Sequence, residues 1–254
     1  MWLAFAAFAA DPERGARLAG LGSCAACHTA DGGAPYAGGH AVVTDFGTFY
    51  GSNLTPDPEH GLGSWDVGDF GDALRRGRAP RGGHYWAAFP YPSFTRLTDG
   101  DVADLWAFLQ TLPPSPTPDV PHDTRRTGVE RWAWHLLFFD RERWEPGPDA
   151  VLDQGRYLVE VVGHCPECHS PRTKLGRVRR DEGLSGSDLE PHGGPDIRQA
   201  TLQWSEADWT TFLELGMMPD GDFVGGGMYG VVRDGTSQLL PEERAAMVKA
   251  LSLP

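Results

Sequence analysis

The chain has 254 residues, with 22 Lys and Arg against 35 Asp and Glu, giving a formal net charge of −13. That excess of carboxylates excludes the basic stripe needed to bind nucleic acid, and no apolar stretch reaches the ~20 residues of a membrane span. Apolar residues make up 40%, with 33 Gly and 21 Pro. This implies long loops and a core completed by something other than side chains, in a chain whose length suggests two domains at roughly 150 residues each.

Residues 1–10 form a short apolar run ending Ala-Phe-Ala-Ala before Asp11. It reads as a remnant or short signal segment, apolar with small residues at its end but without a basic start. Residues 11–112 read as a first domain. Gly15-Ala-Arg-Leu-Ala leads into Cys24-Ala-Ala-Cys27-His28, a helix expected to carry the cysteines at its end. Trp65 to Gly77 reads as a second helix, with Ser64 as its cap and Gly77 as a left-handed stop. A third begins at Thr98-Asp-Gly-Asp101, which resembles a capping box ahead of Val102, Leu105, Trp106 and Leu109 on one face.

Residues 113–148 are a bridge. Pro113 to Pro121 holds too many prolines for helix or central strand and reads as an extended linker. Val129 to Phe139 reads as a short aromatic helix, dense enough in rings to predict burial between two domains.

Residues 149–254 repeat the first domain. Gly155-Arg-Tyr-Leu-Val leads into Cys165-Pro-Glu-Cys168-His169, and Trp204 to Gly216 matches Trp65 to Gly77 with Trp, Asp, Leu and Gly at the same offsets. Ser205 is the expected cap there, and Pro241 opens the last helix. Charge does not separate the halves. Residues 1–111 carry 7 basic and 12 acidic groups, residues 112–146 carry 5 and 6, and residues 147–254 carry 10 and 17. The one basic run, Arg172, Lys174, Arg177, Arg179 and Arg180, suits a solvated loop, haem propionates or an acidic docking face.

The two Cys-x-x-Cys-His runs use every cysteine in the chain. Each reads as a covalent c-type haem attachment: two thiols add to the two vinyl groups of one porphyrin, and the adjacent histidine reaches the iron. A shared zinc site would need the pairs roughly 15 to 20 residues apart, whereas these stand about 140 apart. Neither a thioredoxin-like pair nor a disulfide framework requires histidine after both second cysteines. Covalent attachment of this kind takes place outside the cytoplasmic membrane, which predicts a periplasmic protein.

At this point the chain resembles the multihaem cytochrome c subunits of bacterial alcohol and related dehydrogenases. The residues that carry the resemblance are Gly38-Gly39, Phe46-Gly-Thr48, Ser52-Asn-Leu-Thr-Pro-Asp57, Gly61 to Trp65, Phe89-Pro-Tyr91 and Leu97 to Asp101 in the first half. In the second half they are Gly163-His-Cys165 and Cys168 to Arg172. The resemblance implies an all-α protein of two tandem class I cytochrome c domains with two covalently bound c-type haems. It would take electrons from a partner dehydrogenase and pass them towards the respiratory chain through an oxidase or small cytochrome. Better-known members carry three haems, where this chain has two motifs.

Cys24, Cys27, Cys165 and Cys168 are the expected attachment points, and His28 and His169 the proximal iron ligands. The resemblance to class I cytochromes also implies the Pro35 carbonyl as acceptor for His28. Trp65, Tyr50 and Arg75 are candidate propionate contacts, and Trp65 is equally a core residue. For the second iron's far side Met228, on a glycine-rich loop before the last helix, stands where the family places its methionine. Met217 and Met218 compete with it.

Residues 2–216 contain no methionine, and Phe89-Pro-Tyr stands where the family often has Met-Pro-Tyr. His84 is the replacement considered first, followed by His40, His60 or an open iron, while His122, His135, His164 and His192 read as polar or packed positions. With His84 on the first iron and Met228 on the second, the first haem would have the lower potential and electrons would run from first to second. The rival readings are a peroxidase-like dihaem enzyme with a vacant first haem and a haem-based sensor.

Overall fold

The computed structural model describes residues 9–189 and 193–253. Most of the leader read over residues 1–10 lies outside the described residues, as does His192. The described chain is helical with one small hairpin, the elements following one another as α1 (Pro12–Leu21), α2 (Cys24–His28), β1 (Ala41–Thr44), β2 (Gly47–Tyr50), α3 (Val67–Arg76), α4 (Tyr91–Phe94), α5 (Asp99–Leu109), α6 (Gly128–Phe138), α7 (Ala150–Tyr157), α8 (Pro166–His169), α9 (Ile197–Gln203), α10 (Glu206–Leu215), α11 (Gly226–Asp234) and α12 (Pro241–Leu251). No described helix is long and apolar enough to cross a membrane. The helix-rich chain agrees with the all-α expectation, and the two-stranded hairpin is its one small sheet among the described residues. Val42 and Val43 pair with Phe49 and Thr48, a β-branched run suited to a pleated surface, and Thr44 Oγ1 braces the turn by donating to the Gly47 carbonyl.

In each half the first helix crosses the last at a glycine. A Cβ on Gly15 of α1 would overlap the Asp104 carbonyl of α5, and one on Gly155 of α7 would overlap the Ala246 carbonyl of α12. The missing side chain is what lets the helix axes approach. Beyond the crossing, α1 stops at Gly22 and α2 is a separate turn that begins at Cys24. The cysteines therefore do not sit at the end of the same helix. In the second half α7 runs on into a π turn over Leu158–Val162. A positive-φ residue, Ser23 at 51° or His164 at 37°, then swings the chain into the motif.

The middle helices follow their local signals. Asp66, not Ser64, caps α3, because its carboxylate accepts from Asp69 N–H while the Asp69 side chain reaches back to complete a capping box. Ser205 does the same for α10 with Asp208. Gly77 and Gly216 both stop their helices in the left-handed conformation. Thr98 caps α5 from Asp101 N–H, but the reciprocal half of a box is missing. The Asp101 carboxylate, 2% exposed, instead accepts from the Thr98 hydroxyl, from Tyr157 Oη of α7 and from Arg14. A buried carboxylate needs such partners to offset its lost hydration.

The apolar core runs through both halves. Leu18, Leu21, Phe94, Leu97, Val102 and Leu105 join Tyr157, Leu158, Val161, Val162, Leu213 and Met247 in one cluster. Polar clamps close the seam: Arg96 to Glu160 at 3.0 Å, and Ser93 Oγ donating to Glu167 Oε1 at 2.6 Å. The proline-rich stretch is extended as expected and is held by Asn53, whose side chain donates to the Ser115 and Thr117 carbonyls. Helix α6 departs from the expected burial. None of its residues is buried, and Val129, Trp132, Leu136 and Leu137 stand in solvent. Only its other face is engaged, through His135 on Tyr91 and Trp134 Nε1 donating to the Leu175 carbonyl at 2.7 Å.

Candidate haem sites

Each Cys-x-x-Cys-His run is a single helical turn, so both thiols and the imidazole leave it on neighbouring sides. The four thiols are free of disulfides. Burial first and Cys27 second push the Cys24 thiol up to about 12, and burial and Cys168 do the same for Cys165. Cys27 and Cys168 touch solvent, yet the dense protein around them also raises both. The second cause for Cys27 is Cys168, which brings the two motifs within electrostatic reach across the seam.

Both motif histidines are oriented from behind. His28 Nδ1 lies 2.7 Å from the Ser52 carbonyl, and His169 Nδ1 lies 2.8 Å from the Pro195 carbonyl. A carbonyl has no proton to give, so Nδ1 carries the hydrogen in each ring and Nε2 keeps its lone pair for a metal. Burial holds both imidazoles below their ordinary pKa, against the opposing pull of these hydrogen bonds. Both are therefore neutral imidazoles at neutral pH.

The acceptor for His28 is thus Ser52, not the implied Pro35. The chain returns to the histidine only after 24 residues in the first half and 26 in the second, and backbone bonds fix that return. Gly38 N–H donates to the His28 carbonyl at 2.8 Å, and Gly186 N–H donates to the His169 carbonyl at 2.8 Å. A glycine precedes the acceptor both times. A Cβ on Gly51 would overlap the Cys27 carbonyl, and one on Gly194 would lie 2.6 Å from the His169 ring. The signal in the sequence was the pair Gly51-Ser52 and Gly194-Pro195, too short to stand out in loops with no periodicity.

Paired free thiols and an oriented neutral imidazole fit a covalent haem in each motif. Trp209 Nε1 in α10 is buried with no acceptor, a cost that a propionate carboxylate at that site would remove. Other expected contacts are already engaged. Arg75 is bound to Asp99 at 2.5 Å, and Trp65 packs on the core. In the basic run, Arg172 pairs with Glu167 and Arg177 with Asp140. Arg179 pairs with Glu182 and Arg180 with Glu142. Four of its five cations thus serve carboxylates of the chain itself.

The residues expected as second iron ligands are placed differently in the two halves. Met228 lies in the first turns of α11, not on a loop, and is half-buried against the core. Met217 bridges Phe223 in a turn, and Met218 also packs on the core. His84 stacks on His135, with ring centroids 3.7 Å apart and planes 18° off parallel, and its Nδ1 is buried without a hydrogen bond. Burial and then His84 push His135 down to about 4. His164 donates to the Gly22 carbonyl at 3.2 Å, and His122 Nδ1 accepts from Tyr50 N–H. Neither has a metal-binding arrangement, and no described cluster of three or more His, Cys, Asp or Glu would hold an ion.

The sequence profile described as "Cytochrome c" matches residues 12–113. A diheme cytochrome c-type protein of Cereibacter sphaeroides is 41% identical over 265 residues, covering 97% of this chain and 87% of that protein. The cytochrome c subunit of the quinone alcohol dehydrogenase of Gluconobacter oxydans is 36% identical, covering 95% of this chain and 54% of the subunit. The cytochrome c subunit of the gluconate 2-dehydrogenase of Pantoea cypripedii is 35% identical, covering 98% of this chain and 62% of that subunit. The chain thus spans little more than half the length of these two dehydrogenase subunits.

Proposed function

The chain belongs to the cytochrome c family, and from that membership we propose that it is a periplasmic dihaem electron carrier, two tandem class I cytochrome c domains that accept single electrons from a dehydrogenase and pass them to an oxidase or small cytochrome of the respiratory chain. The observation that carries the reading is the repetition of one device: free paired thiols followed by an imidazole whose Nδ1 is bound to a backbone carbonyl. Haem, when bound, supplies a one-electron iron couple.

The protein's own residues do the rest. Cys24 and Cys27, and Cys165 and Cys168, hold the porphyrin covalently. His28 and His169 offer Nε2, and the Ser52 and Pro195 carbonyls fix the tautomer and raise the basicity of each ring. Met228 would supply a thioether to the iron of a haem held by the second motif, and a Met/His pair would raise its reduction potential. The unpartnered Trp209 N–H would donate to a propionate. The Ser93–Glu167 and Arg96–Glu160 clamps hold the seam between the two halves. A dehydrogenase donor is supported by relatives that are dehydrogenase subunits.

The test is haem stoichiometry and redox behaviour of protein isolated from the periplasmic fraction. Two covalent haems per chain by pyridine haemochrome, and two one-electron steps on titration, are expected. One haem, or protein found only in the cytoplasm, would overturn the reading.

A further inference from the structure

The far side of the first motif carries an inference that rests on reading both motifs as haem sites. Backbone bonds register the halves residue by residue. After Gly77 ends α3, Arg78 bridges His84 and Tyr85 N–H donates back to the Gly77 carbonyl at 2.6 Å. After Gly216 ends α10, Met217 bridges Phe223 and Val224 N–H donates back to the Gly216 carbonyl at 2.8 Å. Four residues beyond these paired donors stand Phe89 and Met228. Phe89 therefore occupies Met228's place in the repeat, and its ring has no donor atom.

By the same register His84 occupies the place of Phe223, which stands in solvent at 65% exposure in the second half. In the first half that place is built into an aromatic column. His84 lies on His135, His135 lies on Phe139 at 4.6 Å, and Tyr91 Oη is 3.3 Å from His135 Nδ1. Phe89 itself meets Tyr85 edge-on at 5.8 Å. His84 is thus tied to α6 five residues short of the position that supplies the sulfur in the second half.

We propose that, among the described residues, none supplies the first half with a counterpart of the Met228 sulfur, and that a haem held by the first motif would bind small neutral ligands of the carbon monoxide and nitric oxide class. In the second half Met228 stands at the paired position, with a thioether that would occupy the iron. The division of labour is one ligand-accessible iron and one closed iron in a single chain.

The experiment is carbon monoxide titration of the dithionite-reduced holoprotein, after pyridine haemochrome has established the haem count. A count other than two refutes the underlying reading and not the register. With two haems, one CO per chain is expected in the wild type and in His84→Ala. Phe89→Met should abolish CO binding and add a second methionine-to-iron charge-transfer band in the red for the ferric protein. Met228→Ala should raise the stoichiometry to two CO per chain, and it decides the matter if Phe89→Met does not fold. No CO in the wild type, CO gained only in His84→Ala, one CO or fewer in Met228→Ala, or a folded Phe89→Met that still binds CO would each overturn the proposal.

Discussion

The two halves are built alike behind the motif histidines and differently in front of them. Behind, a glycine lets the first and last helices cross, a positive-φ residue turns the chain into the cysteines, and a carbonyl following a glycine holds Nδ1. In front, the second half presents Met228 from α11, while the first presents Phe89 and an aromatic column anchored on α6. The difference separates two requirements of such a site. Attachment and orientation of the proximal ring need fixed backbone and tolerate little change. The far side sets ligand access and potential, and a change of one side chain redirects it.

Variants at matched positions would sharpen or break this comparison. The largest effect is expected from Gly155→Val, which forces a side chain into the Ala246 carbonyl and should destabilise the fold by about 3 kcal/mol or more. Because the core is continuous, thermal unfolding followed by circular dichroism should show both halves melting together in one transition. A first half that survives alone would mean that the halves fold independently. Next, Met228→Ala should lower the potential of the second haem by a sizeable part of the roughly 0.8 V that axial ligands span and leave the first unmoved. Equal shifts at both haems in a potentiometric titration would refute separate control.

A smaller effect belongs to the seam. Tyr157→Phe removes the hydroxyl shared by Asp101 and Thr98 N–H and should cost about 1 to 3 kcal/mol in denaturant unfolding. Burial first, then Asp101, raise the Tyr157 pKa above its ordinary value of 10.0. A group raised on folding contributes stability that is whole below its unfolded pKa and is lost as pH climbs above it. The wild type should therefore weaken progressively above about pH 10, and that part of the slope should vanish in the variant. Smallest of all, Trp132→Gln on the open face of α6 should change stability by less than about 0.5 kcal/mol, since the ring stands in solvent. A larger loss would mean that this face packs on the chain after all.

Much of the fold was legible in the sequence, because caps, stops and helix faces are set by residues within a few positions of one another. Ser205, Gly77, Gly216 and Pro241 act where the local pattern puts them. Errors arose where a second claim on a side chain overrode the local one. Asp101 gives its carboxylate to Arg14 and Tyr157 and leaves the capping box half made, and α6 is apolar on more sides than its neighbours can cover.

The sequence by itself determined the two attachment motifs, their histidines, the internal repeat and the missing methionine of the first half, since each is a matter of residue type at short spacing. Only the tertiary structure decided which carbonyls hold those histidines, that Cys27 and Cys168 come within electrostatic reach of each other, and that Phe89 stands in Met228's place with His84 stacked on α6. Those partners are brought together by loops of some two dozen residues and by the packing of one half on the other. No local periodicity records where such loops return, because their course is set by backbone hydrogen bonds and by the exclusion of side chains at Gly51 and Gly194.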